Sequence, residues 1–535
     1  MSQPINLDRR FFCIFRAAPA LALLLCGLFL LPRQAHAFGF DDVIAKAKAL
    51  AAEPYQPVRE IPAWMQFPAL TYDQYQQIRF RPELRLWRAE GSNFGVMLQP
   101  AGLYYTRAVG IHIVNDGTVH PLAFDKSLFT YPDKTFARRV PVNLGYGGLA
   151  ITYPLEPGAP YNSFLVFGGA SYFRAVGRDE GFGLSARGLA IDTGLSSPES
   201  FPLFRSFWLV KPAPGAGTMD LYALLDGEHV SGAYRFVVQP GAATTLDVTA
   251  VLYFRDHPER VGLAPLTSMF FYGANTSRPA GEWRAAVHDS SGLGVENGDG
   301  EWLWRPLINP QSIATTSFTV ADPKGFGLLQ RPRRFADYED LEARYDLRPN
   351  AWVTPIGAWG KGQIMLVELP ESDETEDNIV AFYTPDSLPP PGQPLILHYR
   401  LTFGGEGVGT PPAGYAAATF VGAGTNPGTQ ASGCALRFIV NFRGGELGQL
   451  AEGVEAQVST VAGGKIEEVH VEQAPPFSGW RLSFLVSPAQ GQPLDLRAYL
   501  TRGKETLTET WTYMLPPDML SSYQPGCSVA QDPGR

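Results

Sequence analysis

Along most of the chain after about residue 65, apolar and polar residues alternate with a period of two. Over 246–254 the apolar members Leu246, Val248, Ala250, Leu252 and Phe254 occupy every second position, and over 395–403 Leu395, Leu397, Tyr399, Leu401 and Phe403 do the same. Successive side chains of a strand point to opposite faces, so each run reads as a strand with one face on a core. Shorter runs of this kind, 436–442, 480–486 and 496–500, follow with turn-rich spacers between them. One early stretch departs from the pattern: Val43, Ile44, Ala47, Leu50 and Ala51 recur at helical spacing. They predict a short amphipathic helix, capped by Asp41 and stopped by Pro54, that lies on a sheet surface.

The turn content agrees with this reading. There are 56 glycines and 46 prolines in 535 residues, well above the roughly 12% of an average protein. With 12% aromatics, the chain reads as all-β of sandwich type. Its length calls for at least two domains. The Gly-rich segment 404–414 cannot hold a ladder and is the best linker, so the strand over 395–403 closes the large domain, 38–403. About a hundred residues of short strands over 415–520 fit an immunoglobulin-like sandwich, and 521–535 form a polar tail.

The N-terminus changes the picture of where this chain works. Arg9, Arg10 and Arg16 precede the apolar run 17–31, and Ala35, His36 and Ala37 follow. This is the order of a secretory signal peptide over 1–37, with cleavage after Ala37; the apolar run is shorter than the roughly 20 residues of a membrane span. Arg9 and Arg10 before Phe11 also permit twin-arginine export. Cys13 and Cys26 leave with the signal, so Cys434 and Cys527 remain, as a bridge or as two thiols. A net charge of −9 disfavours nucleic acid and anionic membranes as partners.

Several chemistries lack their motifs. Gly360-Lys361 is followed by Gly362 where a phosphate loop needs Ser or Thr, no His pair has zinc-site spacing, and Ser185 lacks the glycine frame of a nucleophile elbow. No cofactor or metal is expected. What stands out is an acidic stretch with five carboxylates, Glu371, Asp373, Glu374, Glu376 and Asp377, leading into the apolar run 379–383. It is a solvated loop, or a place where repulsion and an apolar wall keep one carboxyl protonated as a proton donor. Between His288 and Phe382 acidic residues mix with Trp302, Trp304, Tyr345, Trp352 and Trp359. Aromatic faces with hydrogen-bonding rims suit sugars, although such rings equally build sandwich cores.

The words over 344–349 and 351–355, with 373–381, 170–174, 183–193, 264–270, 300–307 and 325–331, resemble the osmoregulated periplasmic glucan biosynthesis proteins, the OpgG/OpgD (MdoG/MdoD) family. The resemblance implies a large N-terminal β-sandwich of the kind found in carbohydrate-active enzymes, then an Ig-like domain. It implies action on β-1,2-glucan, by anomer-inverting hydrolysis as an endo-β-1,2-glucanase or by glycosyl transfer, in which two carboxylates share the work. Asp377 would be the general acid, kept neutral by its anionic neighbours and apolar flank. Asp289, in the polar word His288-Asp289-Ser290, would be the base and stay ionised. Tyr345, Arg348, Glu374 and Thr375 are carried over as sugar contacts, with Trp304 and Trp352 as candidate platforms. Glucan chains, an inner-membrane glucan synthase and a second copy of the chain are the partners implied. The other function class is a non-catalytic glucan-binding scaffold.

Overall fold

The computed structural model describes residue 1, residues 36–424, 434–489, 491–523 and 527. The expected signal segment up to residue 35 and most of the polar tail after 523 lie outside the described residues.

The fold is all-β. Among the described residues, a ten-stranded and a fifteen-stranded sheet carry most of the chain, and a four-stranded sheet lies in its C-terminal part. The two large sheets close on one core that draws its members from Ile61 to Phe403. Phe167 shows how the layers knit: its ring meets Phe173, Phe204, Phe207 and Phe236 at centroid distances of 5.3, 6.2, 5.2 and 5.4 Å. Truncating a ring packed this way costs about 3–5 kcal/mol.

The strand Thr244–Phe254 pairs with Val230–Gln239 on one side and Pro394–Gly404 on the other. Leu246, Val248, Ala250, Leu252 and Phe254 face the main core. Val251 and Tyr253 break the alternation because the opposite face is covered too, by the helix Phe40–Ala51. That helix begins two residues earlier than a cap at Asp41 implies, with Gly39 in the capping position; the Asp42 carboxylate accepts the Gly39 N–H at 2.8 Å. Just before it, the Phe38 N–H donates to the Gly117 carbonyl at 2.9 Å, and the Phe38 ring stacks on Trp208.

The C-terminal strands form an immunoglobulin-like sandwich. Tyr415–Ala423, Leu436–Arg443, Gly464–Ala474 and Gly479–Pro488 make one layer, and Glu455–Ala462, Leu494–Arg502 and Thr510–Leu515 the other. The second layer does not stand apart from the first sandwich. Leu303 and Trp304 pair in parallel with Thr510 and Trp511, so one sheet runs through both halves of the molecule. Trp304, Ile308, Leu329 and Trp352 are accordingly part of the C-terminal core. The 404–414 segment is tied down as well: Asn350 Nδ2 donates to the Gly405 and Val408 carbonyls at 3.1 and 2.9 Å, and the Gly414 N–H donates to the Leu507 carbonyl at 2.9 Å. Cys434 and Cys527 are disulfide-bonded across a sequence separation of 93, which decides between the two states the sequence left open.

Candidate active site

The segment after the strand Val261–Ser268 joins the two candidate carboxylates. Its residues Phe270–Tyr272 pair with Val287–His288, and the Asp289 N–H donates to the Met269 carbonyl at 2.9 Å. Ser268 Oγ donates to Ser290 Oγ at 2.8 Å. On the other side, the buried Asn378 accepts the Phe270 N–H at 2.8 Å and donates to the Phe270 and Leu369 carbonyls at 3.0 and 3.1 Å. Asn309 holds the far end of the acidic loop through both backbone groups of Glu371. Buried amides that satisfy backbone groups on two loops fix both loops in place.

Asp289 is nearly enclosed, with 13% of its side chain exposed, and Arg348 Nε lies 3.0 Å from its Oδ1. Burial pushes its carboxyl up to about 6; Arg348 opposes the rise, Asp377 adds to it, and Arg174 and Glu374 act with smaller opposite effects. The sequence expectation of an ordinary ionised carboxylate therefore changes, because the polar His-Asp-Ser context says nothing about desolvation. Neighbouring His288 is buried and held neutral, its pKa lowered to about 4, chiefly by desolvation.

Asp377 sits across from it with Arg174 Nη2 at 3.6 Å from Oδ2. Arg174 comes from the strand Tyr172–Ala175 and is braced by Ser185 Oγ, 2.6 Å from its Nε. Two of the anionic neighbours expected to crowd Asp377 have partners of their own. Glu374 bonds Arg284 at 2.6 Å and accepts the Tyr345 hydroxyl at 3.0 Å; Asp373 caps its own turn through Thr375. The apolar run does not flank the acid either, because Ile379–Pro385 enters the sheet as a buried strand.

Tyr345 and Arg348 lie on the same wall, with the guanidinium 5.4 Å from the ring centroid. Burial, then the charges of Glu374 and Asp289, push the Tyr345 hydroxyl well above its ordinary value. Gly183 makes room for Arg348: a Cβ there would stand 2.9 Å from Arg348 Cδ. The structure thus brings together Asp289, Asp377, Glu374, Tyr345 and Arg348. Thr375 is on the exposed loop with its hydroxyl given to Asp373. Trp304 and Trp352 are not part of this cluster; they are 3% and 7% exposed in the C-terminal core, Trp304 beneath Arg331 and Trp352 stacked on Trp302. Their rings are closed to a sugar, a correction that follows from the sheet shared between the two halves.

Sequence reasoning missed other members. Tyr172 and Arg174 were quoted only as a matching word, and Arg284, which joins Glu282, Asp340 and Glu374, carried no signal. Tyr105, Tyr172, Arg174 and Phe182 line a cavity of about 300 Å³. It shares Tyr105, Gly168 and Tyr172 with a second cavity of about 190 Å³ lined by Tyr104, Arg107 and Phe201. Tyr104 and Phe201 are 66% and 51% exposed. A groove with exposed aromatic residues on its rim therefore leads away from Arg174.

A family model described as "Periplasmic glucan biosynthesis protein, MdoG" matches residues 38–515. The chain is 42% identical over 492 residues to glucans biosynthesis protein G of Ralstonia nicotianae, covering 91% of this chain and 97% of that one. Against the protein of the same name from Dickeya dadantii the figures are 42% over 493 residues, 90% and 94%. Against that from Sodalis glossinidius they are 42% over 505 residues, 92% and 96%. With its fold, its carboxylate cleft and these relatives, the chain belongs to the MdoG family of periplasmic glucan biosynthesis proteins.

Proposed function

We propose that this protein acts in the periplasm on the β-1,2-linked backbone of osmoregulated glucans, as an anomer-inverting endo-β-1,2-glucanase or a related transglycosylase. The observation that carries the reading is that Asp289 lies near enough to Asp377 to feel its charge, each beside an arginine. A scaffold has no use for two opposed carboxylates, whereas inversion needs both. In the proposed step Asp377 gives its proton to the glycosidic oxygen as the C1–O bond breaks. A water oxygen forms the new bond to C1 from the opposite face, and its proton passes to Asp289, directly or through sugar hydroxyls. A sugar hydroxyl in place of water gives transfer. A base titrating near 6 is largely ionised at neutral pH and well matched to take a proton there.

The burial of Asp289 favours a second reading in which the roles are exchanged: the raised carboxyl donates, and Asp377, beside Arg174, receives. Export and removal of the segment before Phe38 complete the proposal. It is supported by the packing of Phe38 on Gly117 and Trp208, which anchors the expected first residue of the mature chain. The mature protein would work beside an inner-membrane glucan synthase.

The test is product analysis of purified mature protein on linear β-1,2-glucan. New reducing ends of inverted anomeric configuration, or longer and cyclic products, are expected. Binding with no turnover of any kind would overturn the enzymatic reading in favour of the scaffold.

A further inference from the structure

Behind the cleft, Gln330 is 1% exposed and spends every polar group of its side chain. Its Nε2 donates to the carbonyls of His288 and Tyr345 at 2.8 and 3.3 Å, and its Oε1 lies 2.9 Å from His288 Nδ1. Both Nε2 partners are carbonyl oxygens, so the amide cannot be turned around. Oε1 is therefore the acceptor, and His288 Nδ1 carries the hydrogen. The ring is further confined by Phe270, stacked at 5.2 Å, and Tyr338, edge-on at 5.3 Å.

The arrangement extends beyond one side chain. The Gln330 N–H donates to Asn350 Oδ1 at 2.7 Å, and the same oxygen accepts Arg333 Nη2 at 2.7 Å. Arg333 Nη1 donates to the Arg348 carbonyl at 3.0 Å. Three site segments, those bearing Asp289, Tyr345 and Arg348, are thus gripped by their carbonyls from one buried knot. Asn350 fastens that knot to Gly405 and Val408.

We propose that Gln330 is a positioning residue for the reaction: through His288 and the Tyr345 carbonyl it sets Asp289 against Arg348 and Tyr345, and it fixes His288 in the Nδ1–H form. This rests on the reading above that Asp289 takes part in turnover. Gln330 acts through geometry alone, since its polar groups are all committed to the protein. A misplacement of about 1 Å at such a site is worth about 100-fold in rate.

The test uses the mature protein and linear β-1,2-glucan. Gln330→Met keeps length and volume but removes both donors and the acceptor. Its kcat should fall about 10- to 100-fold with KM within a few-fold. The limb of the pH profile that titrates with Asp289, among Arg348, Arg174, Asp377 and Glu374, should move toward lower pH as the carboxylate gains solvent. An independent pair covers the case in which Gln330→Met does not fold: His288→Asn places a donor where Nδ1–H was, His288→Gln does not, and the former should turn over at least about 10-fold faster. Wild-type kcat and an unmoved limb in Gln330→Met, or no advantage of His288→Asn over His288→Gln, would overturn the proposal. Asp289→Asn is measured in parallel. Wild-type turnover there sinks the underlying reading and this proposal with it, whereas its loss beside a wild-type Gln330→Met sinks this proposal alone.

Discussion

Arg348 Nε and Asp289 Oδ1 stand 3.0 Å apart, yet neither atom has an aligned hydrogen-bond partner. The contact is a buried charge pair without the directional bond that usually accompanies it. The pair also opposes the desolvation that pushes Asp289 up to about 6. Arg348→Gln should remove that opposition and move the limb of kcat/KM near pH 6 upward. A limb that stays in place in this variant would mean that another group governs it.

Folding stability should report the same carboxyl. Its ordinary value is 3.8 and its folded value about 6. Below about pH 4 it is protonated whether the chain is folded or not, and it costs nothing. Between about pH 4 and 6 the unfolded chain gives up this proton while the folded protein keeps it, so stability falls by up to about 3 kcal/mol, a loss complete above 6. Asp289→Asn should therefore raise Tm at pH 7.5 and leave it nearly unchanged at pH 3.5. Thermal melts of both proteins at both pH values check this, and an equal shift at the two pH values would contradict it.

The roles of the two carboxylates can be separated chemically. Asp377→Asn and Asp289→Asn should each lower turnover on β-1,2-glucan by about 10² to 10⁴ while binding and fold persist. The variant lacking the acid should regain rate on a glucoside with a good leaving group, which needs no protonation. The variant lacking the base should respond instead to added azide, which needs no deprotonation. Rescue of Asp377→Asn by the leaving group supports the first assignment; rescue of Asp289→Asn by it supports the exchanged one.

The groove beyond Arg174 makes a prediction about chain length. Tyr104, packed against Phe67, and Phe201, beneath Arg187, are exposed and sit on the rim rather than in the core. Their joint replacement by Ala should raise KM for long linear glucan several-fold and leave Tm within a degree or two, because stacking on an open ring is worth about 1 kcal/mol. Short glucans that do not reach the groove should be turned over as before. Equal loss on short and long chains would place these rings outside the binding path.

Local order was legible where a single strand or helix decides it. The alternation over 246–254 and 395–403 lies within Thr244–Phe254 and Pro394–Gly404, and the helical spacing of Val43 and Ala47 lies within Phe40–Ala51. Asp289 and Asp377 were named from short words, and Tyr345, Arg348 and Glu374 with them. What sequence could not carry was the outcome of distant segments meeting. Trp304 and Trp352 read as candidate platforms until the pairing of Trp304 with Trp511 buried them. Arg284 gathers Glu282, Asp340 and Glu374 from three stretches, so one carboxylate of the acidic loop is neutralised by a cation that the loop's own composition does not show. The desolvation of Asp289 likewise comes from its surroundings and not from its neighbours in the chain.

The sheet shared between the two halves gives the C-terminal strands a protective task. Trp302–Pro306 would otherwise be an edge strand, with unpaired N–H and C=O groups beside the apolar surfaces of Trp302, Trp304 and Ile308. Such an edge is a template on which another copy can add a strand. A chain cut after residue 403 would present that template to its neighbours, and would also lose the Gly405 and Val408 carbonyls that hold Asn350. The C-terminal strands therefore close an edge at which the fifteen-stranded sheet would otherwise stand open to a second copy.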